Sequence, residues 1–267
     1  MELGIKGRVA IVTGGTKGIG RAIVKTLARE GVHVVTCARG VKAIEILKNE
    51  VAQEGSDLLA LAADMNKPED IRRVIDKTVE YFGGVDILVN NVGGIKKMGH
   101  FKDLNDQDWI ETFELNVMSV VRVVREVLPI LKQSRFARII NISSISGVQP
   151  GFYNPHYTTT KSAVINLSKY LANQLAAEKI LVNVVCPGPV HGGSWDSSME
   201  ELARQRHLHV EEMARVFEEE ERRKIPLGRV GEGEDVSGLV AFLASDHASW
   251  ITGSCFHVNG GKLRSMD

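Results

Sequence analysis

The chain has 267 residues, a formal net charge of zero and 25% charged side chains, so neither nucleic acid nor an anionic membrane is indicated as its main partner. Its 43% hydrophobic content is that of a globular protein long enough for a large core. The three cysteines, Cys37, Cys186 and Cys255, are far apart in sequence, which argues against a disulfide framework or zinc site and predicts buried strand thiols. We find neither a secretory segment nor a run of about 20 apolar residues, and we expect a cytoplasmic protein.

Short β-branched runs alternate along the chain with longer segments of helical periodicity. Strands are predicted at 8–13, 32–37, 58–63, 87–90, 138–142, 181–186 and 255–258. Helices are predicted at 19–30, 41–54, 68–82, 106–132, 157–178 and 234–244, the fourth being interrupted or ended near Pro129. This alternation predicts a single α/β domain over residues 1–267, a Rossmann-type doubly wound parallel sheet of about seven strands with helices on both faces.

Residues 190–224 break this alternation, and we expect them to form a lid over the substrate. Apolar positions recur there at helical spacing, with charged partners four residues apart along the run FEEEERRK, as is typical of a solvated helix with ion pairs. The stripe comprises Met199, Leu202, Arg206, Val210, Met213 and Phe217, and the pairs are Glu218–Arg222, Glu219–Arg223 and Glu220–Lys224. An apolar stripe needs a surface to cover, which favours a lid at the carboxyl edge of the sheet.

A glycine-rich turn, Gly14-x3-Gly18-x-Gly20, joins the first predicted strand to the first predicted helix. Glycines at such a turn let the backbone approach a pyrophosphate, and the free N–H groups of the helix then face the anion. Glycines that serve only tight packing are the alternative. The position of the turn between a strand and a helix of a βαβ chain favours nucleotide binding.

The residues that follow the second and third strands bear on the choice of nucleotide. The second strand ends in TCAR (36–39), without the carboxylate that usually bonds the ribose 2′-hydroxyl of NAD. Arg39 and Lys17 could pair with a 2′-phosphate and so favour NADP(H), although both could also be ordinary surface cations. Asp64 suits a bond to an adenine amino group or to the backbone. Gly93 in NNVG (90–93) would let the backbone lie near the adenosine ribose, with a purely structural turn as the alternative.

Tyr157 and Lys161 lie four residues apart, on one face of a predicted helix. A phenol of pKa about 10 is a poor acid–base catalyst at neutral pH, and a nearby ammonium lowers that pKa. Tyr153 lies two residues before Pro155, so we expect it in a loop, out of register with Lys161 and at most lining the pocket. The fifth strand ends in NISS (141–144), where a hydroxyl could bond a substrate oxygen.

These segments, in this order and spacing, resemble the short-chain dehydrogenase/reductase family over residues 8–260. The matching motifs are TGGTKGIG (13–20), Asp64, NNVG (90–93), Asn116 in ELNVMS, NISS (141–144), YTTTK (157–161) and PGPV (187–190). The C-terminal segment that begins IPLGRVGEGEDV is similar to the subgroup of 3-oxoacyl-carrier-protein reductases and many sugar, polyol and steroid dehydrogenases.

The resemblance implies a role for each matching residue. Tyr157 would donate a proton to a carbonyl oxygen, or remove one in reverse, while Lys161 would lower the tyrosine pKa and bond the nicotinamide ribose. Ser144, which its spacing to Tyr157 selects over Ser143, would hold the substrate oxygen, and Asn116 would support a water in a proton relay. Hydride would pass between the nicotinamide and the substrate carbon without a metal. The implied NADP(H) site comprises Gly14, Thr16, Lys17, Gly18, Ile19, Gly20, Arg39, Asp64, Met65, Asn91, Val92, Gly93, Tyr157, Lys161, Pro187, Gly188 and Val190.

The chain also departs from the family pattern. Where the family often has Thr or Ser to hold the nicotinamide amide, we expect Gly192, with Ser194 as the alternative contact. Acyl-carrier reductases hold the acidic carrier with basic residues at the site mouth; Arg135 falls at one such position, but the other reads Glu178-Lys179, which leaves carrier delivery an open possibility. His156 is expected at the protein surface.

The sequence leaves three functions open. The first is an NADPH-dependent reductase of a ketone. The second is an NAD-dependent dehydrogenase that oxidises a secondary alcohol, sugar or steroid hydroxyl, which Arg39 and the missing carboxylate oppose. The third is a non-catalytic nucleotide sensor, which the presence of Ser144, Tyr157 and Lys161 opposes. The resemblance also implies a homotetramer that pairs the helices at about 106–132 and 157–178 and the C-terminal strands.

Overall fold

The computed structural model describes residues 2–54 and 56–265. Seven strands form one sheet: β1 (Val9–Thr13), β2 (His33–Ala38), β3 (Leu58–Ala62), β4 (Ile87–Asn90), β5 (Arg138–Ile142), β6 (Leu181–Pro187) and β7 (Cys255–Val258). The α-helices are α1 (Gly18–Arg29), α2 (Val41–Gln53), α3 (Pro68–Phe82), α4 (Asp106–Phe113), α5 (Ser119–Leu131), α6 (Pro155–Leu175), α7 (Ser194–Arg206), α8 (Val210–Arg222) and α9 (Gly233–Ala244). None of the described helices is long and apolar enough to cross a membrane.

The strand order β3-β2-β1-β4-β5-β6-β7, with every pairing parallel, confirms the predicted doubly wound, Rossmann-type sheet. The order reverses between β1 and β4. Ligands of open α/β sheets bind outside the carboxyl ends of the strands at such a switch point. The ends of β1, β4 and β5 therefore define where a site should be sought.

Two apolar layers cover the sheet because alternate strand residues face opposite sides. On one face, Ala10 and Val12 of β1 pack against α1, α2 and α9. On the other face, Ile11 and Val35 pack against α3, α5 and α6. All five residues of β1 are buried, as expected for a parallel strand covered on both sides.

The segment predicted as one helix at 106–132 ends at Leu131, near Pro129 as expected, and it is also divided at an earlier place that was not expected. A single π-helical turn, Glu114–Met118, separates α4 from α5, whereas Pro129 lies within α5 close to its end. The π-turn carries Asn116, whose side chain binds the backbone of Gly94. This long-range contact fixes the turn, and helical periodicity does not reveal it.

The predicted lid consists of two helices, α7 and α8, separated at His207 in a left-handed conformation with φ of 56°. Its apolar residues form a cluster with a neighbouring loop, comprising Met98, Met199, Leu202, Ala203 and Met213, with Ile95, Tyr153, Trp195 and Phe217 packed around it. Of the three expected ion pairs, Glu219–Arg223 forms. Glu221, expected in solvent, is instead buried and pairs with Lys224 and Lys262.

The prediction of three buried thiols is wrong for one of them. Cys37 and Cys186 are buried, but Cys255 is exposed. The reason is topological, since Cys255 begins β7, the strand at the edge of the sheet.

Candidate active site

The glycine-rich turn lies between β1 and α1 and is held closely against its neighbours. Gly14 has a φ of 69°, a left-handed conformation that favours glycine. A Cβ on Gly20 would lie 2.4 Å from the Asn91 amide nitrogen and from the Gly14 carbonyl oxygen, so only glycine fits there. Lys17 precedes α1 without a side-chain cap, which leaves the first N–H groups of the helix free to bind an anion.

Asn91 ties this turn to the end of β4. Its amide nitrogen donates to the carbonyl oxygens of Thr13 and Gly14 at 2.9 and 3.0 Å. The Thr13 hydroxyl in turn accepts hydrogen bonds from the backbone N–H groups of Asn91 and Val92. Asn91 thus fixes the glycine-rich turn to the end of β4. The only sequence signal for this role was the position of Asn91 in the motif NNVG (90–93).

The two cations expected near a nucleotide, Lys17 and Arg39, are both exposed. Among the described residues, neither side chain forms a hydrogen bond or an ion pair. The turn lies beside the end of β2, because Gly14 N donates to Cys37 O at 2.9 Å. Asp64 follows β3 and accepts a hydrogen bond from Asn66 N, while Met65 is buried beneath it. The carboxyl edge therefore presents two unpaired positive charges beside the glycine-rich turn.

Ser144, Tyr157 and Lys161 meet at the carboxyl end of β5. Lys161 Nζ lies 5.6 Å from the centre of the Tyr157 ring, and the Ser144 side chain is close enough to the Tyr157 phenol to influence its pKa. Tyr157 and Lys161 share one face of α6, which begins at Pro155, two residues earlier than expected. The neighbouring Ser143 is buried and donates to the Lys161 carbonyl oxygen at 2.8 Å, so its hydroxyl is already occupied.

Burial governs the protonation of these groups. It raises the pKa of Tyr157 to about 12, so the lowering expected from Lys161 is wrong, although the Ser144 side chain acts in the downward direction. It also lowers the pKa of Lys161 to about 8. The Lys161 ammonium donates to the Ile142 carbonyl oxygen at 3.0 Å. At neutral pH the phenol is therefore protonated and the amine still carries its charge.

Asn116 lies next to these groups but uses its side chain on the backbone. Its Oδ1 accepts from Gly94 N at 2.8 Å, and its Nδ2 donates to the carbonyl oxygens of Gly94 and Thr112 at 2.8 and 3.0 Å. A Cβ on Gly93 would lie 2.8 Å from Asn116 Oδ1 and 2.9 Å from Lys161 Nζ. The glycine keeps open the space between the Lys161 ammonium and the backbone after β4.

The turn after β6 brings the lid to the glycine-rich turn. Gly188 N donates to Val258 O at 2.8 Å, directly after Pro187, and Val190 pairs with Gly231. Beyond it, the backbone of Gly192 lies only 3.0 Å from where a Cβ on Gly18 would be. Ser194, the alternative contact for the nicotinamide amide, begins α7, and its Cβ lies 4.0 Å from where a Cβ on Gly94 would be.

Tyr153 and His156 flank the catalytic candidates in different ways. Tyr153 lies in the loop before α6, where its ring packs on His100 with a centroid distance of 4.3 Å. His156, expected at the surface, is fully buried; its Nε2 lies 3.1 Å from Lys97 O, and burial lowers its pKa. His156 is buried because α6 begins before it, at Pro155, and its ring faces Trp109.

Sequence reasoning also missed a buried polar chain beneath the site. Asn90 donates to Asn141 at 2.8 Å, and Asn141 donates to Ser168 at the same distance. Asn90 is the last residue of β4 and Asn141 the last but one of β5, which was the available signal. This series of hydrogen bonds joins β4, β5 and α6, the three elements that carry the candidate residues.

The residues at this edge fit a phosphorylated dinucleotide. The fit rests on the free helix N-terminus at Gly18, on the room that Gly93 leaves beside Lys161, and on the cations Lys17 and Arg39, which have no partner within residues 2–54 and 56–265. One end of the cleft suits a diphosphate and a further phosphate, and the other suits a ribose beside an ammonium.

Comparison with known proteins agrees with this geometry. The family model described as short chain dehydrogenase matches residues 8–203. The 3-oxoacyl-acyl-carrier-protein reductases FabG of Staphylococcus aureus and Escherichia coli are both 34% identical to the chain, over 253 and 259 residues. The alignments cover 94% and 97% of this chain and 96% and 98% of those proteins.

Two solved structures extend the comparison to complexes. L-sorbose reductase from Gluconobacter frateurii, complexed with NADPH and L-sorbose, is 32% identical, covers 100% of both chains and has a TM-score of 0.91. A variant of actinorhodin polyketide ketoreductase with NADPH is also 32% identical, covering 97% of this chain and 98% of that chain with a TM-score of 0.88.

Proposed function

Because the chain belongs to the short chain dehydrogenase family, we propose that it is an NADPH-dependent reductase that transfers a hydride to a ketone carbonyl, giving a secondary alcohol. The observation that carries the proposal is the meeting of Ser144, Tyr157 and Lys161 at the carboxyl edge of the sheet, beside the glycine-rich turn. Each of the three groups suits one part of a carbonyl reduction.

NADPH, when bound, would supply the hydride that the substrate carbon accepts. The Ser144 hydroxyl holds the carbonyl oxygen, on which negative charge develops. Tyr157 gives its proton to that oxygen, and its pKa of about 12 keeps the proton on the phenol until an alkoxide more basic than the phenolate begins to form. Lys161, whose ammonium lies near the ring, offsets the negative charge left on the phenolate.

The preference for NADPH rests on Arg39 and Lys17. Both are exposed and unpaired among the described residues, and an unpaired guanidinium matches the oxygens of a 2′-phosphate. The L-sorbose reductase and the actinorhodin ketoreductase are complexed with NADPH, and we extend that cofactor to this chain.

A titration of the purified chain with NADPH and with NADH tests the cofactor. We expect tighter binding of NADPH than of NADH. Arg39→Ala should weaken NADPH binding by about 10- to 150-fold, because a charge-assisted hydrogen bond contributes about 1.5–3 kcal/mol, and should leave NADH binding unchanged. Lys17→Ala should act in the same direction. Lys77→Ala, which removes an exposed cation from α3, is the matched control. Equal or tighter binding of NADH would instead favour the oxidative NAD-dependent dehydrogenase.

A panel of ketones assayed with NADPH tests the chemistry. Tyr157→Phe should lower kcat by at least about 100-fold, the usual contribution of general acid catalysis, with the cofactor still bound. Tyr153→Phe removes the hydroxyl of a second tyrosine, in the adjoining loop, and should change kcat by no more than about fivefold, the effect of a single hydrogen bond of roughly 1 kcal/mol. A Tyr157→Phe variant as active as the parent would exclude Tyr157 as the proton donor.

We do not propose that a carrier protein delivers the substrate. Arg135 is exposed, but at the second position Glu178 is an acidic residue that pairs with Lys132 at 2.9 Å, which does not favour an acidic carrier. Homotetramer formation is part of the proposal, since α4 and α6 expose Phe113 and Tyr170. Light scattering on the purified chain should give the mass of four chains, and a monomer would remove this part of the proposal.

A further inference from the structure

Two cysteines and a histidine meet on neighbouring strands outside the cleft. In the pairing of β6 with β7, Val184 faces Cys255 and Cys186 faces His257. Because side chains alternate along a strand, Cys186, Cys255 and His257 project from the same face. Their Sγ atoms lie 3.4 Å apart, Cys255 Sγ lies 3.5 Å from His257 Nε2, and all three ligand atoms lie within 4.8 Å of one another.

The strand register argues against a disulfide between the two sulfurs. Cys186 and Cys255 are diagonal rather than opposite partners, and such Cα atoms are about 7–8 Å apart. A disulfide needs Cα atoms no more than about 6.8 Å apart, so closing the bond would move the backbone. The sulfurs approach each other because the side chains lean together across the strands.

The same distances suit a bridging metal ion. Zn²⁺ binds thiolate at about 2.3 Å and imidazole at about 2.0–2.1 Å, so tetrahedral geometry separates neighbouring ligand atoms by about 3.5–3.8 Å. The distances of 3.4 Å between the Cys186 and Cys255 sulfurs and 3.5 Å between Cys255 Sγ and His257 Nε2 need little adjustment to reach that range. Thiolate and imidazole are also the ligands that soft and borderline ions prefer.

We propose that Cys186, Cys255 and His257 form a site for a thiophilic divalent ion of the Zn²⁺ class. Cys186 is buried, His257 is half-buried and Cys255 is exposed, so an ion reaches the site from solvent and retains one open position for water. Binding releases two thiol protons to solvent and uses the neutral imidazole through Nε2, with no change of oxidation state.

The site lies directly behind the catalytic candidates. Cys186 packs in a buried cluster with Ile145, the residue that follows Ser144, and it lies on β6, which pairs with β5. A bound ion would join the edge strand β7 to β6 at this point. The bound ion would therefore stabilise the pairing of β7 with β6 on the side of the sheet next to the catalytic candidates.

Cobalt substitution tests the proposal independently of catalysis. The reduced, chelator-treated protein is titrated anaerobically with Co²⁺ and then with Zn²⁺. We expect one Co²⁺ per chain, with a thiolate-to-cobalt charge-transfer band and tetrahedral d–d absorption that Zn²⁺ abolishes. Cys255→Ser should lower the charge-transfer intensity, because it removes one of the two thiolate ligands, and His257→Ala should weaken binding at least tenfold. Cys37→Ala removes a buried thiol of β2 and is the matched control, with unchanged titration.

Thermal unfolding supplies a second measurement. A ligand that binds only the folded state raises Tm with concentration, so Zn²⁺ should raise Tm for the parent and for Cys37→Ala but not for His257→Ala. Absence of a thiolate band, or a band unchanged in Cys255→Ser, would overturn the proposal. The proposal would also be overturned if peptide mapping found a Cys186–Cys255 disulfide in the aerated protein and the reduced protein showed no Co²⁺ band.

Discussion

Replacing Lys161 by methionine should stabilise the folded chain at pH 7 while abolishing reduction. The Lys161 side chain is 4% exposed, and burial lowers its pKa from 10.5 to about 8. At about 1.4 kcal/mol for each pKa unit, that difference corresponds to about 3 kcal/mol by which burying the ammonium opposes folding. Methionine has similar length and no charge. Losing the hydrogen bond to Ile142 O costs about 1 kcal/mol, which leaves a net gain of about 2 kcal/mol.

The sign of the pH dependence follows from proton counts in the two states. Below pH 8 both the folded and the unfolded chain hold the Lys161 proton, so the full cost of burial is present. Between pH 8 and 10.5 the unfolded chain holds more protons, and the stability of the parent rises with pH. The advantage of Lys161→Met should therefore shrink over this window and disappear above it.

Urea unfolding of the cofactor-free chain at pH 7 and pH 10 measures both effects, with equal m values required for a direct comparison. Lys169→Met, on the exposed side of the same helix, should change the free energy of unfolding by no more than about 0.5 kcal/mol at pH 7. A Lys161→Met variant that is less stable than the parent at pH 7, or whose advantage does not change with pH, would refute the reasoning.

Two further substitutions test the room and the hydrogen bonds around the site. Gly93→Ala places a methyl group 2.8 Å from Asn116 Oδ1 and 2.9 Å from Lys161 Nζ. We expect kcat to fall at least tenfold while the circular dichroism spectrum stays unchanged. Gly84→Ala, which has open space around it, should leave kcat unchanged. Asn116→Ala removes three buried hydrogen bonds and should lower the free energy of unfolding by about 3 kcal/mol. Gln107→Ala removes an exposed amide of α4 and should lower it by less than about 0.5 kcal/mol. Similar losses for both variants would exclude the role given to Asn116.

Local patterns determined much of the architecture. Apolar periodicity placed each of the seven strands within one residue of its observed ends, because buried parallel strands read as short β-branched runs. The spacing of Tyr157 and Lys161 placed them on one helix face for a purely local reason, the helical repeat. The glycine pattern predicted the turn, because left-handed backbone at Gly14 and close approach at Gly20 both require glycine.

Contacts between distant segments decided the rest. The π-turn at Asn116 depends on the backbone of Gly94, and the burial of His156 depends on a loop 59 residues earlier in the chain. Cys186 and Cys255 are 69 residues apart, and they meet because β7 pairs with β6 in one particular register. Sequence periodicity reports which face a residue occupies, but it carries no information about which strand lies beside it. Strand order and register, which set those neighbours, are properties of the whole packed sheet.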